Sequence, residues 1–131
     1  MGKKRLLLVD DEPELLQALV VRLTAVGFTC ETAKNGQVAL EKLAQEPLPD
    51  LIVLDLLMPE VSGYEVSRRL QEDARWSRIP LLVLTAVPER TLEQTAPLWL
   101  GAVAVLHKPF DSSILVATVR RLLKLDPATD A

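Results

Sequence analysis

Apolar runs of strand length recur along the chain: Leu6-Leu7-Leu8-Val9, Phe28 to Ala33, Leu51-Ile52-Val53-Leu54, Leu81-Leu82-Val83-Leu84 and Ala102 to Leu106. Four of the five are nearly continuous in apolar character, as parallel strands covered on both faces require. The second alternates, through Phe28, Cys30 and Ala33, and is expected at a sheet edge. Helical spacing fills the gaps. Leu15, Leu16, Leu19, Val20, Leu23 and Val26 follow Pro13, a residue suited to a first helical turn, and Gly27 ends that helix. A second segment carries Val38, Leu40 and Leu43 and stops before Pro47 and Pro49. A third carries Tyr64, Val66 and Leu70 behind the cap Ser62, and the last carries Ile114, Leu115, Val119, Leu122 and Leu123 behind the cap Asp111. Pro88 opens the fourth, which is expected to be short, late-ending or kinked because Pro97 removes a donor and clashes with the preceding turn.

Five strand-helix units imply an α/β domain with an open, doubly wound parallel sheet, right-handed crossovers and helices on both faces. With five strands the flavodoxin-like order 2-1-3-4-5 is expected. Residues 1–125 form one domain in this reading, and residues 126–131 a tail or the start of a linker.

Composition narrows the class. The chain has 131 residues, 49% of them hydrophobic and 25% charged, enough for one globular core. Its net charge is −3 and no basic block stands out, so direct contact with nucleic acid is not expected. No apolar run approaches the roughly 18 to 20 residues that span a bilayer, so no membrane contact is expected either. Leu6 to Val9 follow the basic Lys3-Lys4-Arg5, but Asp10 and Asp11 end the run too early for a signal peptide. Cys30 is the single cysteine, which excludes an internal disulfide and suits a cytoplasmic location.

In such a sheet, ligands gather beyond the carboxyl ends of the strands, near the point where strand order reverses. The residues there are Asp10 and Asp11 on the first strand, Asp55 on the third, Thr85 on the fourth, and His107-Lys108 on the fifth. Taken singly, Asp10 or Asp11 reads as a helix cap, Thr85 as a turn residue and Lys108 as a surface lysine. Asp55 is harder to dismiss, because a charge ending the central apolar run is costly unless paired or metal-bound. Together they put three carboxylates, a hydroxyl and an ammonium on one edge. Converging carboxylates repel unless a cation is present. A hard divalent ion with oxygen ligands resolves this, and Mg²⁺ suits a site that also takes phosphate.

Val9-Asp10-Asp11-Glu12, Asp55-Leu56-Leu57-Met58-Pro59 with Gly63, Thr85-Ala86 and Lys108-Pro109-Phe110 resemble the signature of response-regulator receiver domains, the CheY-like family of two-component signalling. The resemblance runs from about Leu6 to Leu123. It implies a phosphoacceptor, Asp55, that takes a phosphoryl group from a sensor histidine kinase or phosphotransfer protein. It implies Mg²⁺ bound by Asp11, Asp55 and the Leu57 carbonyl, with Asp10 acting through water. Lys108 would pair with Asp55 and then with the phosphoryl oxygens, and Thr85 would donate its hydroxyl to them. The Lys108-Pro109 bond would be cis. The domain would catalyse only its own phosphorylation and dephosphorylation, and helix 4, strand 5 and helix 5 would form the face for a dimer or an effector.

The sequence departs from that pattern in three places. Val105 stands where the family usually carries an aromatic switch residue, so the output face is expected to change through backbone shifts around Thr85 and helix 4. Leu57 and Val87 are both apolar where side chains would sit at the mouth of the site; they either hinder attacking water or merely pack. Pro97-Leu98-Trp99-Leu100 is unusually apolar; Trp99 is expected in the core, and if exposed would mark a dimer or effector contact. His107, Tyr64 and Trp76 are read as packing residues, and Glu12 and Glu60 as residues of the rim.

Two other function classes fit less well. A Mg²⁺-dependent phosphohydrolase would want a second carboxylate where Leu57 stands, and a binding module that never takes phosphate has no need of Asp55. Flavin binding fails because Asp10-Asp11-Glu12-Pro13-Glu14 would repel a phosphate.

Overall fold

A computed structural model of the chain describes residues 2–95 and 104–125. Strands and helices alternate throughout: β1 (Arg5–Val9), α1 (Pro13–Ala25), β2 (Thr29–Ala33), α2 (Gly36–Leu43) and β3 (Leu51–Leu54) form the first half. They are followed by α3 (Gly63–Glu72), β4 (Leu81–Thr85), α4 (Glu89–Thr95), β5 (Ala104–His107) and α5 (Ser112–Leu122). All pairings are parallel and the strand order is β2-β1-β3-β4-β5, the expected flavodoxin-like arrangement.

The continuous apolar strands feed two separate cores. Leu7, Val9, Ile52, Leu54, Leu81 and Val83 point to the side covered by α2 and α3. Leu6, Leu8, Leu51, Val53, Leu82 and Leu84 point to the side covered by α1 and α5. Each fully buried Leu or Ile contributes about 1.5–3 kcal/mol, so a polar residue anywhere in these runs would be felt. β2 lies at the edge, and its alternating exposure matches its alternating sequence.

Local chemistry sets the helix ends. Asn35 accepts from the Val38 amide at 2.8 Å, Ser62 from Glu65 at 3.3 Å, and Asp111 from Ser113 at 2.7 Å. Gly27, at φ 103°, turns the chain out of α1. The apolar run that begins at Phe28 predicts that this residue opens the second strand. It lies just before β2 instead: its amide closes onto Leu23 and its ring is fully buried against α1. A large apolar ring is worth more as a plug behind the turn than on an edge strand.

Trp76 is buried and donates its ring N–H to the Leu43 carbonyl at 3.1 Å, and Tyr64 packs half-buried against the same core, as expected of both. The expectations for Pro97 and Trp99, for the first part of the fifth strand and for the tail at 126–131 lie outside the described residues.

Candidate functional site

β1 and β3 run side by side, with Val9 paired to Leu54, so the residues that follow them leave the sheet together. The Asp10 amide donates to Ala33 on one flank, and the Asp55 amide to Val9 on the other, at 3.1 and 3.0 Å. The strand order reverses between these two strands, which opens a crevice at their carboxyl ends. Asp10 and Asp55 are buried there and Asp11 is exposed at the mouth; one carboxylate oxygen from each lies within 4.8 Å of the others. The capping reading of Asp10 and Asp11 does not hold, because the N-cap of α1 is Glu12, which caps without its side chain.

Lys108 answers the negative charge. Its Nζ donates to Asp10 Oδ2 at 2.7 Å and to Asp55 Oδ2 at 3.3 Å, and lies 3.6 Å from Glu12 Oε1. The Lys108-Pro109 peptide is cis, as expected. Burial disfavours the ammonium, but Asp10 and Asp55 outweigh that penalty, and Lys108 sits above its ordinary pKa. Asp10 is also raised, chiefly by burial, with Lys108 and the Glu12 amide offsetting part of the effect. Both directions describe one crowded pocket in which a single ammonium faces several carboxylates. Its donor set is hard oxygen, the kind a Mg²⁺ ion takes.

Backbone amides complete the support. Asp10 Oδ1 accepts from Glu12 at 3.0 Å and Asp55 Oδ1 from Leu57 at 3.2 Å. Behind Asp55, Gly63 presses its backbone so close that a Cβ there would fall 2.0 Å from the Asp55 carbonyl oxygen. This contact is the physical reason for the glycine that follows the Asp55-Leu56-Leu57-Met58-Pro59 motif. Thr85 ends β4 fully buried; its carbonyl accepts from the Lys108 amide at 2.9 Å, and its hydroxyl oxygen from Val87 at 3.3 Å.

Other expectations divide here. Val87 is 3% exposed and simply packs, whereas Leu57 is 55% exposed beside Asp11. Val105 is half-buried against the α2–α3 side. His107, expected to pack at a strand end, is exposed, and its Nε2 lies 2.9 Å from Glu89 Oε2. The polar partner on α4, eighteen residues away in sequence, draws the ring outward.

The chain matches the family model described as "Response regulator receiver domain" over residues 6–120. It belongs to that family. The receiver domain is 37% identical over 120 residues to the DNA-binding dual master transcriptional regulator RpaA of Synechocystis, covering 92% of this chain and 49% of that protein. It spans about half the length of the curated relatives it matches. Among solved structures it resembles the chemotaxis protein CheY4 of Vibrio cholerae, at 28% identity and TM-score 0.82, covering 92% of this chain and 99% of that one. It also resembles the response regulator TrrA of Thermotoga maritima, solved in complex with Mg²⁺-BeF, at 31% identity and TM-score 0.78, covering 91% and 98%. Among the described residues, no helix of this receiver domain is long and apolar enough to cross a membrane.

Proposed function

We propose that this receiver domain accepts a phosphoryl group on Asp55 from the phosphohistidine of a sensor histidine kinase or phosphotransfer protein, and switches its output surface in response. The observation that carries the proposal is the pocket itself. Three carboxylates converge within 4.8 Å, and a lysine ammonium lies 3.3 Å from Asp55. The Asp55 oxygen attacks phosphorus, a phosphorus–oxygen bond forms, the donor's phosphorus–nitrogen bond breaks, and the imidazole leaves.

Asp11, Asp55 and the Leu57 carbonyl would hold Mg²⁺ directly, with Asp10 contributing through a water. When bound, the ion supplies charge neutralisation for the incoming phosphoryl oxygens. Lys108 is already poised to add its own charge to those oxygens. Thr85, buried at the end of β4, would donate its hydroxyl to the modified Asp55. The phosphoryl group adds up to about two negative charges, a local electrostatic change large enough to bias the loop between β4 and α4. The domain acts only on itself, in the cytoplasm, and passes the change to an effector or a second copy through α4, β5 and α5.

Incubation with acetyl phosphate and Mg²⁺, followed by intact mass measurement, tests this reading. Wild type gains the mass of one phosphoryl group, and neither the Asp55→Asn variant nor the metal-free protein does. An Asp55→Asn variant modified at the wild-type rate would overturn it.

A further inference from the structure

The loop formed by residues 86–88 leads from Thr85 into α4; it is fastened at one end to Lys108, just past β5, and at the other to His107, the last residue of β5. At the near end the Lys108 amide donates to the Thr85 carbonyl at 2.9 Å. At the far end His107 Nε2 meets Glu89 Oε2 at 2.9 Å, and His107 is the residue paired with Thr85 across the ladder. Between them, buried Val87 gives its amide to the Thr85 hydroxyl oxygen at 3.3 Å. The hydroxyl assigned to meet the phosphoryl group is therefore itself tied to the strapped loop. Val105 leaves no large ring on β5 to swing in concert with Thr85, so the strap is a polar connection between the site and the start of α4.

We propose that Glu89 and His107 are positioning residues that act through Thr85: their pairing holds residues 86–88 in the resting arrangement, and releasing it frees Thr85 to turn toward a phosphorylated Asp55. The proposal rests on the reading of Asp55 as phosphoacceptor. An exposed pair of this kind is weak, so it sets the balance between two loop arrangements and does not lock either one. Opening of the loop then rises about two- to fivefold when the pair is lost, the range such exposed pairs support. A Gln at position 107 can still donate an amide N–H to Glu89, and it should preserve the strap without the imidazole.

Two measurements test it on the full chain with Glu89→Ala, His107→Ala, the double variant and His107→Gln. Hydrogen exchange of the Val87 amide in the unphosphorylated protein reads the strap, and phosphorylation by acetyl phosphate with Mg²⁺ reads Thr85. Both single variants are expected to speed exchange and phosphorylation about two- to fivefold. The double variant should match either single, and His107→Gln should stay near wild type. Unchanged exchange in the single variants, or additive effects in the double, overturns the strap. Faster exchange with an unchanged phosphorylation rate overturns its action through Thr85. A wild type that takes no phosphoryl group overturns the Asp55 reading and the positioning role with it, while the exchange results still report the strap on their own.

Discussion

Lys108 sits closer to Asp10 than to Asp55, at 2.7 against 3.3 Å, so the buried ammonium is anchored just past the first strand while it leans over the residue just past the third. All three side chains are largely withdrawn from water, at 12%, 3% and 6% exposure. Removing the cation leaves the carboxylates facing one another in a poor solvent. Replacing Lys108 with Met should therefore destabilise the metal-free protein at neutral pH by about 2–3 kcal/mol. That is below the ~3–5 kcal/mol of a fully interior pair, because the pocket opens at Asp11. Urea denaturation checks it, and a loss under half a kcal/mol would mean that water already reaches these carboxylates freely.

Asp10 carries a pH signature. Its folded-state pKa is raised, mainly by burial, so the folded chain holds that proton more tightly than the unfolded chain does. The stability linked to it is complete below the ordinary carboxylate pKa, near 4, and is lost as pH rises through the folded value. The difference in stability between wild type and Asp10→Asn, measured without metal, should therefore shift against wild type from about pH 4 toward neutrality. Parallel curves across that window would show that Lys108 compensates the burial completely.

A divalent ion should reverse part of this repulsion. Binding to the folded chain alone, Mg²⁺ at ten times its dissociation constant adds about 1.4 kcal/mol, or roughly 4–7 °C in Tm for a domain of this size. Asp11→Asn should abolish the shift while hardly changing the metal-free Tm, because Asp11 is exposed. An equal shift in wild type and Asp11→Asn would point to binding elsewhere on the surface.

The fold was legible because its determinants are local. Four near-continuous apolar runs, a run at the edge that alternates, and caps such as Ser62 and Asp111 each depend on a few neighbouring residues. The site was legible as a set of strand-end residues, since Asp10, Asp11, Asp55, Thr85 and Lys108 follow directly from where the strands stop. Contacts set by packing between distant segments were not. Nothing in the sequence says that Lys108 lies nearer Asp10 than Asp55, that His107 reaches Glu89, or that Leu57 is exposed while Val87 is buried. Phe28 belongs to the same class: its fate depends on the space behind Gly27, which only the packed α1 defines.

Gly63 tests how tightly the backbone behind Asp55 is set. An added Cβ would meet the Asp55 carbonyl oxygen at 2.0 Å and the Leu56 Cα at 2.6 Å, both main-chain atoms that cannot rotate away. Gly63→Ala should cost about 3 kcal/mol, the upper end for overpacking, and should weaken Mg²⁺ binding by displacing Asp55. A variant of wild-type stability and metal affinity would show that the start of α3 slides without moving the site.

Leu57 and Val87 looked equivalent as apolar residues flanking the site, and their exposure separates them. Leu57 is 55% exposed and lines a surface pocket with Asp11, whereas Val87 is buried, so of the two Leu57 is the one expected to screen Asp55 from water once it is phosphorylated. Leu57→Asn replaces an apolar screen with a group able to hold that water, and should shorten the phosphoryl half-life by up to about tenfold, a change of about 1.4 kcal/mol in barrier. Val87→Asn should act differently. At 3% exposure it would bury an unpartnered amide and cost about 1–3 kcal/mol of stability, with little direct effect on hydrolysis. Half-lives from the decay of phosphorylated protein by intact mass distinguish the two. If Leu57→Asn leaves the half-life of the phosphorylated protein unchanged, the exposed leucine does not screen the site.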